Sequence, residues 1–175
     1  SILCDELQKI SELSRTIFSN HKMDLGKTKL YLTPVSVYDF IYSEISALMN
    51  AYPKVDFELD MDVVGERDID EVQFRQVIQN LLGNALKFIP DKDGKIRVVL
   101  RKQEGKIRIA IEDNGKGFSG VHIDNIFDKY STGDQGTTGL GMGLYLCKRI
   151  VELHGGKIFS ANSKKLGGAK FSIEF

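Results

Sequence analysis

Residues 95–113, "KIRVVLRKQEGKIRIAIED", constrain this chain more than any other stretch. Two runs rich in Ile, Val and Leu flank a turn at Glu104 and Gly105, which predicts a β-hairpin. A lone hairpin is not stable in water, so other segments must cover its apolar side. "TKLYLTPV" predicts a short strand after Gly26, and a helix follows over about 36–50, closed by Pro53. "VDFELDMD" alternates like a strand, and Asp68 or Asp70 can cap a helix that runs through about Phe88. "PDKDGK" is a turn. Beyond the hairpin "NGKG" breaks the strand, and a short helix is expected near 122–128. A further helix runs to about Leu153, "HGG" stops it, and "KIFSANS" and "AKFSIEF" finish as paired strands. Three helices and about five strands, mostly consecutive and antiparallel, make an α+β two-layer sandwich the expected architecture.

The bulk properties narrow the function. A 175-residue chain that is 42% hydrophobic and 27% charged is a globular domain of ordinary size. Its 24 acidic and 24 basic residues cancel, so no bulk attraction to nucleic acid or anionic lipid is expected. No apolar run approaches the roughly 20 residues of a membrane span. Cys4 and Cys147 lie far apart, outside any CxxC, which argues against a zinc site or a disulfide framework and for packing in a reducing compartment. Residues 1–24 place Ile2, Leu3, Leu7, Ile10, Leu13 and Ile17 at helical spacing, and the chain opens inside that helix without Met, as a piece of a longer protein would.

In "EVQFRQVIQNLLGNALKF" the apolar residues Phe74, Val77, Ile78, Leu81, Leu82, Ala85 and Phe88 share one face. Beside them Gln73, Gln76, Asn80, Asn84 and Lys87 line up along the axis, with no acidic residue between Val72 and Pro90. Two readings stay open here. The stripe is a solvated surface, or its amide oxygens hold Mg²⁺ without adding negative charge beside a phosphate chain, with Lys87 meeting an anionic oxygen.

Asp113 ends the second strand of the hairpin and is followed by Asn114, Gly115, Lys116 and Gly117. This is common turn chemistry, but no good partner strand follows, and a carboxylate before two glycines also suits a flat ligand with an exocyclic amine such as adenine. "STGDQGTTGLGMGL" then packs Gly133, Gly136, Gly139, Gly141 and Gly143 directly before an apolar helix. Cleared amides at a helix start suit phosphate oxygens, and the polar segment ahead of them suits a lid; a plain loop before a core helix is the other reading. Two phosphate motifs do not fit. The glycines are not Gly-x-Gly-x-x-Gly after a strand, and the P-loop glycine expected before Gly26–Thr28 would fall on His21.

With these elements in this order, the chain over about residues 30–175 resembles the ATP-binding catalytic domain of sensor histidine kinases, within the gyrase, heat-shock chaperone, histidine kinase and mismatch-repair ATPase superfamily. "NLLGNALKF" is similar to its N box, "DNGKGF" to the G1 box, "IFDKY" to the F box and "GTTGLGMGL" to the G2 box. The resemblance implies a mixed sheet of about five strands backed by three helices, the Bergerat-type fold, with ATP between the 71–88 helix and a lid. It implies that Asn84 ligates Mg²⁺ with Asn80 nearby, that Lys87 contacts a phosphate, and that Asp113 accepts the adenine amino hydrogen beside Gly115 and Gly117. Thr138, Gly139, Leu140, Gly141, Gly143 and Leu144 would line the phosphates, and Phe127 would seat the lid. Tyr130 stands where a second Phe is common, and Thr132 where many relatives have a basic residue.

Hydrolytic and serine-kinase branches of the superfamily resemble one another in having a Glu where this chain has Asn80. An amide cannot take a proton from water or serine, whereas a neutral imidazole attacks without such help, so catalysis reduces to positioning and charge neutralisation by residues such as Asn80 and Lys87. The resemblance therefore implies phosphoryl transfer from ATP to a histidine. The alternatives are an ATPase or serine kinase of the same fold, or a nucleotide-binding regulatory domain without chemistry. His21, His122 and His154 are each followed by a non-acidic residue, unlike the family's acceptor, and His154 in "ELHGG" reads as structural. Residues 1–27 would then be the end of a dimerisation hairpin plus linker, and 28–175 the catalytic domain. The expected partners are that phosphoacceptor hairpin and a response regulator receiver domain, in a homodimeric, cytoplasmic protein or the cytoplasmic part of a membrane-anchored sensor, with no nucleic acid.

Overall fold

A computed structural model describes residues 29–118, 123–129 and 142–175. The helix expected over 1–24 lies outside them, as does most of the glycine-rich stretch. In chain order the elements are β1 (Thr33–Ser36), α1 (Val37–Ala51), β2 (Asp56–Met61), β3 (Glu66–Ile69), α2 (Glu71–Phe88), β4 (Lys95–Gln103), β5 (Lys106–Asp113), a 3-10 turn (Ile123–Asn125), α3 (Gly143–Leu153), β6 (Lys157–Asn162) and β7 (Ala169–Glu174).

The main sheet has the order β2-β4-β5-β7-β6. Every pairing in it is antiparallel except β2 with β4, which run parallel with Asp56 opposite Lys95. A mixed, mostly antiparallel five-stranded sheet on three helices is the α+β sandwich expected from the sequence. The β4–β5 hairpin sets its centre: Ile96, Val98 and Leu100 alternate inward, as do Ile107, Ile109 and Ile111, and all six are buried. They join one core with Phe40, Ile41 and Ile45 of α1, Phe74, Val77, Ile78, Leu81 and Leu82 of α2, and Leu146, Ile150 and Val151 of α3. Each such side chain contributes about 1.5–3 kcal/mol of apolar burial.

Three local expectations are corrected. β3 stands where only a cap was read: it pairs with β1 in a separate two-stranded sheet, with Asp68 opposite Pro34 and three of its four residues exposed, so it has no apolar alternation to betray it. β1 begins at Thr33 rather than at the start of "TKLYLTPV", because the Tyr31 N–H goes to Asp70 Oδ2 at 3.0 Å instead of to a ladder. The helix expected over 122–128 is the single 3-10 turn.

α2 is fixed at its start and along one side. Asp70 is its N-cap, with extended φ and ψ and Oδ1 accepting from Gln73 N at 3.1 Å. The Asp70 N–H donates to His154 Nε2 at 3.0 Å, while Nδ1 of that ring lies 2.7 Å from the Ile150 carbonyl. An accepting Nε2 leaves the proton on Nδ1, so the ring is a neutral tie between the start of α2 and the end of α3; its edge also packs on Phe74. On the side facing α1, the buried Glu44 carboxylate pairs with Arg75 and accepts from Gln79 Nε2 at 3.0 Å. Arg75 also bonds Glu71 at 2.6 Å.

Candidate functional site

Asn80, in the amide stripe predicted on α2, faces α3. Asn80 Oδ1 lies 3.6 Å from the point where a side chain at Gly143 would begin. The same amide lies against the thiol of Cys147, which burial pushes up to about 12 against an opposing pull from Asn80. Cys147 is therefore a protonated packing residue, as its burial requires. Asn80 Nδ2 is itself buried and has no partner in hydrogen-bonding geometry among the described residues. An unmet buried amide costs about 1–3 kcal/mol, so it marks either a defect or a place for a ligand. One turn on, Asn84 is half-buried, and Lys87 is exposed with Nζ 5.4 Å from the Phe88 ring centroid.

The second wall is the end of β5. Asp113 is 3% exposed. Its Oδ1 accepts from Gly115 N at 2.9 Å and from Ala169 N at 3.0 Å. Burial pushes its carboxyl above the ordinary carboxylate value, and those two N–H groups offset part of the rise. Among the described residues both bonds fall on Oδ1, and none falls on Oδ2.

The two walls meet at Gly115. A Cβ there would sit 2.5 Å from the Phe88 carbonyl oxygen, so only glycine lets the turn after Asp113 close against the last residue of α2. At Gly117, with φ of +64°, a Cβ would meet Asn162 Oδ1 at 2.7 Å; that oxygen accepts from Phe118 N at 2.8 Å and ties the turn to β6. The crowding at both glycines is with the protein itself. Asn114 anchors the other side by accepting from Lys95 N at 2.7 Å and donating to the Asp93 carbonyl at 2.8 Å.

The third wall is the start of α3. Met142 is its N-cap residue and makes no side-chain cap bond, and the first turn has no acid, so among the described residues no side chain caps the amides at Gly143 and Leu144. Thr138, Gly139, Leu140 and Gly141 lie outside the described residues. Phe127 is buried in the core, with its ring 6.2 Å from that of Phe171.

Sequence reasoning missed the turn that grips Asp113. The β6–β7 connection supplies Gly168 N to the Asp113 carbonyl at 3.1 Å as well as the Ala169 donor. A Cβ at Gly168 would collide with both Asp113 Oδ1 and its carbonyl oxygen. The Gly167-Gly168 pair was the available signal. On the opposite face of the sheet burial opposes the charge of neighbouring Glu112, but Ser163, Lys170 and Arg97 outweigh it and hold that carboxyl below its usual range.

α2 thus touches both other features: its last residue meets the turn after Asp113, and Asn80 meets the start of α3. A family model for histidine kinase-, DNA gyrase B- and HSP90-like ATPases matches residues 69–175. The chain belongs to that family. The alginate biosynthesis sensor protein KinB of Pseudomonas aeruginosa is 31% identical over 95% of this chain. The sensor protein KdpD of Clostridium acetobutylicum is 33% identical over 97% of it. The chain spans only 28% and 19% of those two proteins. The solved catalytic domain of histidine kinase ThkA, 25% identical, superposes with a TM-score of 0.74 over 83% of this chain and 97% of that one. Within the ATPase family this is therefore the ATP-binding catalytic domain of the sensor histidine kinase type. Among the described residues no helix is long and apolar enough to cross a membrane.

Proposed function

We propose that this domain binds ATP with Mg²⁺ between α2 and α3 and donates the γ-phosphoryl group to a histidine that is not among its own three. The observation that supports this most is Asp113: buried, held on Oδ1 by two backbone donors, and closed against the end of α2 at Gly115. On this reading Oδ2 accepts from the adenine amine, and Gly117 with Asn162 holds the turn that carries it. Asn84, with Asn80 beside it, offers uncharged hard oxygens of the kind Mg²⁺ takes. The unmet Nδ2 of Asn80 fits a site built for an oxygen-rich ligand. Bound there, Mg²⁺ would neutralise phosphate charge. Lys87 and the uncapped amides at Gly143 and Leu144 meet phosphate oxygens. Thr138, Gly139, Leu140 and Gly141 are assigned to the same task, and Phe127 to supporting the lid, on the family resemblance alone.

The Asn80 amide cannot act as a general base, so the domain positions rather than deprotonates. A neutral imidazole nitrogen forms the new P–N bond as the bond to the ADP oxygen breaks. His154 is unsuited as acceptor because Nε2 receives the Asp70 N–H and Nδ1 lies on the Ile150 carbonyl. We assign residues 1–27 to the end of a dimerisation hairpin and linker. The acceptor then belongs to that hairpin in a homodimeric, cytoplasmically facing sensor, and a receiver domain takes the phosphoryl group onward.

Titration calorimetry tests the binding half. Wild type should bind ATP with Mg²⁺, Asp113→Asn should bind about 100-fold more weakly, and Asn84→Ala about tenfold more weakly with Mg²⁺ but equally without it. No binding by wild type would end the proposal. For transfer, incubation with the dimerisation hairpin and labelled ATP should give acid-labile label; acid-stable label would point to serine instead.

A further inference from the structure

We propose that Ser163 is a positioning residue for purine selection: it locks the β6–β7 turn to Glu112 and thereby aims the Asp113 carboxylate. This rests on the reading that Asp113 takes the adenine amine. Ser163 and Glu112 are each 3% exposed, on the face of the sheet away from the helices. Ser163 Oγ donates to Glu112 Oε2 at 2.5 Å and accepts from Leu166 N at 3.0 Å. Its backbone closes the same turn twice, through Ser163 N to the Gly168 carbonyl at 2.7 Å and Gly167 N to the Ser163 carbonyl at 2.9 Å. The turn's own hydrogen bonds thus converge on Ser163, while Lys165 adds an ion pair to Glu58.

Its anchor is itself fixed, since Arg97 and Lys170 lie 3.2 and 3.3 Å from Glu112 Oε1. Its far end delivers the Gly168 and Ala169 donors to Asp113 with no room for even a Cβ between. Any shift of the turn is thus passed directly to Oδ1, and rotation about the carboxylate moves Oδ2 with it. Two adjacent carboxylates divide the work across the sheet: Glu112 holds the turn from one face so that Asp113 presents a set oxygen on the other. Selection for a 6-amino purine needs that oxygen in one place, whereas the phosphate contacts do not depend on it.

The test compares ATP with purine riboside triphosphate, which has hydrogen in place of the amine, by titration of the whole 175-residue chain with Mg²⁺. Wild type should prefer ATP. Ser163→Ala should shrink that preference about tenfold by weakening ATP alone, and Ser163→Thr, which keeps the hydroxyl, should restore most of it. Equal weakening of both nucleotides, or an unchanged preference, would overturn the proposal. Should Ser163→Ala not fold, Glu112→Gln serves in its place with the same two readings. Asp113→Asn is run alongside. If it too leaves the preference intact, the adenine assignment itself fails; if it abolishes the preference while Ser163→Ala does not, only the positioning role falls.

Discussion

α2 has two polar sides, and they differ in a way that composition hides. Toward α1, Arg75 and Gln79 converge on the buried Glu44, and the buried charge is answered by a cation and an amide donor. Toward α3, Gln73 Oε1 and Asn80 Nδ2 are buried with no hydrogen-bond partner among the described residues. The first side is closed within the fold and holds two helices together. The second leaves interactions unmade, which lowers stability and is expected where a ligand completes the set. The polar residues of α2 thus divide into a satisfied structural set and an unmet set, and of the unmet set only Asn80, one turn from Asn84, is expected to face a ligand.

The contrast breaks most visibly on the α1 side. Arg75→Ala strands the buried Glu44 carboxylate with Gln79 as its remaining partner and removes the guanidinium over Phe40. It should cost about 3 kcal/mol, a fall in melting temperature of roughly 6–12 °C, with nucleotide affinity unchanged. If affinity fell in step with stability, the two sides would not be separable. On the α3 side Asn80→Leu should raise stability by up to about 1 kcal/mol, because an unmet polar group is removed, while weakening binding of ATP with Mg²⁺ about tenfold. The same exchange at Gln73, roughly 16 Å along the helix from Asn84, should give a similar small gain in stability and no loss of binding. Calorimetric melting and titration on the three variants decide it.

What the sequence shows depends on how local the cause is. The β4–β5 hairpin, the α2 stripe and Asp113 at a strand end are written in nearby residues, and the structure contains each of them. β3 is polar and is a strand only because β1, some thirty residues earlier, pairs with it. The choice of Asp70 over Asp68 as cap follows from that pairing, since Asp68 is held in the ladder and Asp70 is the first residue free to turn. The parallel β2–β4 contact and the insertion of β7 between β5 and β6 likewise depend on long-range packing. For the site, the sequence pointed to Asp113 but not to Ala169 and Gly168, which hold it from a turn that lies far along the chain.

The central claim is that Asp113 and the α2 amides meet on one nucleotide. A crystal structure with Mg²⁺ and a non-hydrolysable ATP analogue tests it most directly. The adenine amine should lie about 2.7–3.2 Å from Asp113 Oδ2, with the ion on Asn84 Oδ1 and the phosphates toward Gly143. An analogue bound with its amine directed at other groups, or with its phosphates away from α2, would contradict the account.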